Sequence, residues 1–197
     1  MRLSTSDDGA ESEAAIGTRS GQEVRPFDPR SQDVTLPDIA HATANVCRAS
    51  GQSDVFYSVG LHSLYVSRDL ERRGESPRTQ LYGLLHDASE AYVADVPGPL
   101  KRHLPNYRRA EERVQSAIWT AFDLSEPTER AWGAVKRADD RLQRYELPEL
   151  MPSQDWEGDR PDLPYDLQAD GRLDVPTRFE ERAEQLAAAC DATAPRP

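Results

Sequence analysis

The chain has 197 residues, 37% of them apolar and 30% charged, with a formal net charge of -11. That length suits one domain with tails, and the acidic balance excludes a nucleic-acid polymer as partner because no basic cluster offers counterion release. No run approaches the ~18 apolar residues of a spanning helix, no apolar leader is evident, and Cys47 and Cys190 form no CxxC pair, so a cytoplasmic protein with reduced thiols and no membrane partner is expected.

Residues 1–24 are almost wholly polar and read as a disordered tail. Residues 25–150 have ordinary composition and read as the folded domain. Pro37 opens a helix to about Ala49, with Ile39, Ala42, Thr43 and Val46 on one face, and Gly51 ends it. Ser58 is the N-cap of a helix from Val59 to about Arg73, with Leu61, Leu64, Tyr65 and Leu70 apolar and Gly74 as its stop. Ser76-Pro77 restarts the chain into a helix from about Arg78 to Val93, whose buried side is Leu81, Leu84, Leu85 and Ala88.

Pro97-Gly98-Pro99 then breaks the chain. Pro105 opens an amphipathic helix to about Phe122, with Ala110, Val114, Ala117, Ile118 and Ala121 at helical spacing. Ser125 caps a helix from about Glu126 to Tyr145. The apolar positions of these two helices exceed one core's need, which points to a homo-oligomer. Residues 151–175 are rich in Asp, Pro and Gly and read as a long acidic loop, either a lid or a surface insertion. Residues 176–197 hold a last helix, about Thr177 to Ala189, and a tail. No strand pair or hairpin signal occurs, so the fold class is all-α.

One run stands out: Leu84-Leu85-His86-Asp87-Ala88-Ser89-Glu90. Ionisable groups within an apolar helix are costly to bury unless something uses them. His86 and Asp87 differ by about 100° around a helix axis and so approach one ion from two directions. Glu90 follows His86 by one turn. His62 is the best third ligand, and Gly60 beside it lets backbones approach closely. Helix phase supplies a fourth. In the stripe Val135, Ala138, Leu142 and Tyr145, Asp139 points inward and Asp140 outward. Taken singly, His62 fits a satisfied core histidine and Asp139 a cap or ion-pair member. Four such groups on three helices point to one divalent metal, and mixed ligation fits Mn, Co, Zn, Fe, Ni or Mg. Asp95, five residues beyond Glu90, is placed for proton handling. Among 24 basic residues only Lys101 and Lys136 are lysines. Lys101 reads equally as a phosphate contact and as a surface lysine.

At these positions the chain resembles the HD-domain phosphohydrolases, in which a histidine, a His-Asp pair and a distant aspartate bind a divalent metal. Those positions are His62, His86-Asp87 and Asp139. The segment His86-Asp87-Ala88-Ser89-Glu90, with Asp95-Val96-Pro97 and Pro99-Leu100-Lys101, looks closest to the branch of 5'-deoxynucleotidases and phage dNTP triphosphohydrolases. The likeness covers about residues 27 to 150. It implies a helical bundle of about six helices with the metal in its core, and Glu90 and Asp95 as catalytic carboxylates. Arg48 keeps the branch's phosphate-binding position, but Ala49 replaces the aromatic that follows it. Gly60-Leu61 lacks the carboxylate that often precedes the first histidine. Phe56-Tyr57-Ser58-Val59 resembles the Tyr-Ser-Val of relatives, which puts Tyr57 at the pocket or in the packing around it. The resemblance implies a metal-dependent phosphohydrolase of small-molecule nucleotides, releasing phosphate from a monophosphate or tripolyphosphate from a triphosphate. Arg102, Arg108 and Arg109 lie near Lys101 in sequence and could serve a triphosphate, but a solvated helix face pairing with Glu111 and Glu112 is the stronger reading. The competing readings are a non-catalytic metal or nucleotide sensor and a di-iron oxygenase of the same fold.

Overall fold

The computed structural model describes residues 14–152, 155–156, 158–170 and 174–193. It is all-α apart from one small antiparallel pair, β1 (Ile16–Gly17) and β2 (Glu23–Val24). The long helices are α1 (Leu36–Asn45), α2 (Val59–Arg72), α3 (Pro77–Leu85), α6 (Pro105–Ala121), α7 (Glu129–Leu150) and α9 (Val175–Thr193). Three four-residue helices lie between them: α4 (Glu90–Val93), α5 (Gly98–Lys101) and α8 (Leu167–Asp170).

The centre of the fold is α2. Both its apolar and its polar positions are buried, including Leu61, Leu64, Tyr65 and Val66 beside His62, Ser63, Ser67 and Asp69. A helix buried all round needs neighbours on every side, and α1, α3, α7 and α9 supply them. Two glycines set these distances. A Cβ on Gly60 would stand 3.0 Å from Thr43 Oγ1 and 3.1 Å from the Ala44 nitrogen, so α1 crosses close to α2. A Cβ on Gly83 would collide with Leu70 Cδ1, so α3 crosses just as close on the other side. Side-chain caps start five of the helices: Thr35 accepts from the Asp38 N–H, Ser58 from the Leu61 N–H, Ser76 from the Thr79 N–H, Thr128 from the Ala131 N–H and Asp174 from the Thr177 N–H.

The helix expected over 78–93 is interrupted. After Leu85 the bonds tighten to i→i−3: Ala88 N–H to Leu85 C=O, Glu90 N–H to Asp87 C=O and Ala91 N–H to Ala88 C=O. His86 and Asp87 therefore sit in a turn between α3 and α4. The first helix ends earlier than the sequence predicts, at Asn45, and Ala49 and Ser50 adopt positive φ. The cap of α7 is Thr128 rather than Ser125, whose carbonyl instead accepts from the Tyr82 hydroxyl at 2.9 Å. Pro97-Gly98-Pro99 leads into the short helix α5 rather than an open break.

The tails also depart from the expected reading. Residues 1–13 lie outside the described residues, but 14–24 are folded. Asp38, in the first turn of α1, accepts from the Ser20 N–H at 2.9 Å and from the hydroxyls of Ser20 and Thr35, which clasps the β1–β2 hairpin to the bundle. The stretch 151–175 is no free loop, since Leu163, Tyr165 and Leu167 are buried and Tyr165 stacks on Tyr65 at 3.9 Å. The last helix belongs to the domain core. Phe179, Ala183 and Leu186 are buried, and Arg182 donates to Ser67 Oγ and Gln80 Oε1 at 3.2 and 2.8 Å. The apolar stripes of α6 and α7 are spent inside this core. Among the described residues the exposed large hydrophobics are Phe56 and Leu100, and neither lies on those helices. No helix among them is long and apolar enough to cross a membrane.

Candidate metal centre

Three places in the chain meet at one point: the first turn of α2, the turn after α3 and the middle of α7. His62 Nε2 lies 3.1 Å from Asp139 Oδ1 and 3.9 Å from Asp87 Oδ2. His86 Nε2 lies 3.2 Å from Asp87 Oδ2 and 3.8 Å from Asp139 Oδ1. The two imidazole rings are 5.3 Å apart. Donor atoms about 2 Å from a shared ion stand roughly 3 to 3.5 Å from one another; the two shorter contacts fall in that range and the two longer ones exceed it by a few tenths of an ångström. Of the four expected groups, His62, His86 and Asp87 each place one ligand atom within 4.8 Å of the others, and Asp139 lies 3.1 Å from His62 Nε2 and 3.8 Å from His86 Nε2 outside that set.

The far side of each imidazole fixes its tautomer. His86 Nδ1 donates to the Gly83 carbonyl at 2.8 Å. His62 Nδ1 donates to Glu146, 2.9 Å from Oε1 and 3.0 Å from Oε2. Both Nε2 atoms then face the shared point, the arrangement that metal-binding histidines use. His86 Nε2 is buried without a hydrogen-bond partner. A buried nitrogen left this way is costly, and an ion coordinated at that point satisfies it. The residues present therefore fit a divalent ion.

Electrostatics agrees with the geometry. Burial works against charge on His86, but the carboxylates of Asp87 and Asp139 outweigh it and raise its pKa to about 10. Burial likewise opposes ionisation of Asp139, yet the hydrogen bond from His62 and the neighbouring His86 imidazole hold it well below the usual carboxylate range. Asp87 is held low against its burial chiefly by His86. The two carboxylates thus favour positive charge at this point, whether a proton on an imidazole or a cation between the rings.

Glu146 is the residue that sequence reasoning missed. It is buried, accepts from the Tyr57 hydroxyl at 2.6 Å and lies 3.7 Å from Arg48 Nε. It follows Asp139 by seven residues, two helical turns on one face of α7, and that spacing was the available signal. Glu146 supplies from α7 the carboxylate that Gly60-Leu61 lacks. Arg48 bridges Glu146 and Asp87, with Nη1 3.3 Å from Asp87 Oδ2. Tyr57 does not line a pocket. It is fully buried behind Glu146, so its place is in the packing that holds that carboxylate.

Glu90 is buried just beyond Asp87, and its Oε2 has no hydrogen-bond partner. Burial, and then the charges of Asp87 and Asp95, push its pKa well above the ordinary value. Asp95 is half-buried, does not line the cleft, and acts here through that charge. Lys101 Nζ lies 3.8 Å from Glu90 Oε1 and pairs with Glu111 at 2.6 Å.

A cleft of about 530 Å³ opens on the His86 and Asp87 side of the cluster. Its walls include Lys101, Glu111, Glu112, Gln115, Trp119, Glu126, Trp132 and Lys136. No described residue of 151–175 lines it, so that stretch is not a lid over this cleft. Arg102, Arg108 and Arg109 do not line it either; Arg108 pairs with Glu112 at 4.0 Å and Arg109 lies over the Phe27 ring.

No known family profile matches the chain. The chain is 36% identical over 109 residues to the uncharacterized protein YfdR of Escherichia coli, a match that covers 55% of this chain and spans 58% of YfdR. It is 34% identical over 150 residues to the uncharacterized protein RCAP_rcc00048 of Rhodobacter capsulatus, a match covering 72% of this chain and 75% of that protein.

Proposed function

The chain belongs to the family of the Rhodobacter protein RCAP_rcc00048, and within it we propose a metal-dependent phosphohydrolase of the HD type that acts on deoxynucleoside monophosphates. The observation that carries this reading is the buried His86 Nε2 without a partner, aimed at the point where His62, Asp87 and Asp139 converge. A divalent ion held there supplies Lewis-acid polarisation of the phosphoryl group and acidifies water.

The protein's own residues do the rest. His62, His86, Asp87 and Asp139 hold the ion. Glu146 and the Gly83 carbonyl fix the two imidazoles, and Arg48 orients Asp87 and offsets charge. Glu90 takes the proton of the attacking water on its unpartnered Oε2. Its raised proton affinity favours accepting a proton there. Lys101, beside Glu90, stabilises negative charge on the phosphoryl oxygens.

The cleft favours one phosphate over three. Its lining cations are Lys101 and Lys136, and it also carries the carboxylates of Asp87, Glu111, Glu112 and Glu126. The β and γ groups of a triphosphate would meet these carboxylates without further cations to offset them.

The test is phosphate release by metal-stripped protein resupplied with Mn, Co, Zn or Mg, on dNMPs, dNTPs and ribonucleotides, with Asp87→Ala as control. Orthophosphate from dNMPs, absent in the variant, is the expected result. Tripolyphosphate from a dNTP would replace the monophosphate assignment. No metal-dependent turnover of any nucleotide would remove the hydrolase reading and leave the binding-module reading.

A further inference from the structure

The part of the cleft that α7 lines has a composition that the hydrolytic chemistry leaves unexplained. Trp132 and Lys136 stand one turn apart on α7 and both line the cleft. The Lys136 ammonium lies 5.3 Å from the centre of the Trp132 ring, within cation–π range. The same ammonium lies 3.4 Å from Asp139 Oδ2, the oxygen that does not face His62. One lysine therefore links an aromatic plane to a candidate metal ligand.

Trp132 differs from the tryptophan next to it in the cleft. Trp119 is buried and sits edge-on to Tyr82 at 5.4 Å, so its ring is engaged in the core. Trp132 is half-buried and packs against the core with only part of its ring. A large flat surface in a wet cleft is held there at some cost in exposed apolar area, and a flat ligand recovers it. Both chain lysines line this same cleft together with His86 and Asp87.

Resting on the phosphohydrolase reading, we propose that Trp132, steadied by Lys136, is the stacking platform for the aromatic ring of the substrate. The ring of a nucleobase lies on the indole while its phosphate reaches the metal centre. Stacking of a base on an aromatic side chain is worth about 1–3 kcal/mol, which corresponds to roughly 5- to 150-fold in affinity. The carboxylates of Glu112 and Glu126 in the same cleft favour bases that present amino groups over those that present only carbonyls.

The experiment compares a deoxynucleotide with its base-free counterpart. Binding of deoxyadenosine monophosphate and of 2-deoxyribose 5-phosphate to the zinc-loaded full chain is measured by calorimetry, for wild type, Trp132→Phe and Trp132→Ala. Hydrolysis is scored separately in manganese. Circular dichroism confirms that each variant is folded, and Trp132→Phe keeps the test alive if the alanine variant is not. The expected result is at least tenfold weaker nucleotide binding in Trp132→Ala, an intermediate loss in Trp132→Phe, and unchanged binding of the sugar phosphate. Equal loss for both ligands, or no loss for either, overturns the platform even where hydrolysis is intact. A Trp132-dependent preference for the nucleotide without hydrolysis supports the platform and removes the hydrolase reading. No binding of the nucleotide overturns the platform.

Discussion

Replacing Glu146 by glutamine tests whether this side chain is a positioning residue or merely a buried acid. The carboxylate receives the Tyr57 hydroxyl at 2.6 Å and His62 Nδ1 at 2.9 and 3.0 Å, and it faces Arg48 Nε at 3.7 Å. A glutamine retains one carbonyl oxygen for Tyr57 and His62. Its amide nitrogen then faces two donors, His62 Nδ1 and Arg48 Nε, and the buried guanidinium loses one of its two counter-charges. Loss of a carboxylate behind a metal-binding histidine typically costs 10–100-fold in metal affinity or activity, or about 1.4–2.7 kcal/mol. Breaking a buried ion pair costs about 3–5 kcal/mol of stability, and for a chain of this size each kcal/mol lowers Tm by about 2–4 °C. The assay pairs chelator competition for zinc with thermal denaturation of the metal-free protein. Asp140→Asn, exposed on the same helix, is the control and leaves both unchanged. A zinc affinity within twofold of wild type, whatever the change in Tm, would refute the claim that Glu146 orients His62.

Three other outcomes are expected. Glu90→Gln keeps stoichiometric metal by elemental analysis but loses about 10²–10⁴ in turnover; turnover within threefold of wild type would take Glu90 out of the chemistry. Phe179→Ala, which empties a fully buried position on α9, destabilises by about 3–5 kcal/mol in denaturant melts, and a loss under about 1 kcal/mol would show that α9 is not part of the core. Burial raises the Asp38 pKa, but hydrogen bonds from Ser20, Thr18 and Thr35 outweigh it and leave the carboxyl below its ordinary 3.8. Because the folded value is the lower one, the stabilisation is full above pH 3.8 and is lost as pH falls through the folded value. Asp38→Asn therefore melts lower than wild type at pH 6, and the gap closes below pH 3.8; a gap that does not change with pH would refute the linkage.

The sequence carried the architecture wherever local chemistry and tertiary packing agree. Ser58 and Ser76 marked helix starts because a hydroxyl at that position satisfies an N–H whatever the helix packs against. Phase alone turned Asp139 inward and Asp140 outward, since the apolar stripe around it has no gap. The interruption after Leu85 was hidden, because nothing in Leu85-His86-Asp87-Ala88-Ser89 disfavours an α-helix. The tightened turn there is a tertiary choice that brings Asp87 to His86 and His62. Glu146 was masked by its neighbours Arg144, Tyr145 and Leu147, among which a lone glutamate reads as solvent-facing. Tyr57 stayed open between pocket and packing because its role depends on a partner 89 residues away. The hairpin at 16–24 escaped for a similar reason: its two-residue strands carry no alternation to read, and Asp38 holds them from outside.

Because the chain's two lysines both line the cleft, amine-directed chemistry on the folded protein has two side-chain targets, and both report on one place. Reductive methylation with ¹³C-formaldehyde would give two side-chain dimethylamine resonances besides that of the terminal amine. One arises beside Glu111 and the other above an indole ring, whose current shifts it apart. Ion loading and ligand entry become visible as movement of two peaks, without isotope labelling of the chain and without any assumption about turnover.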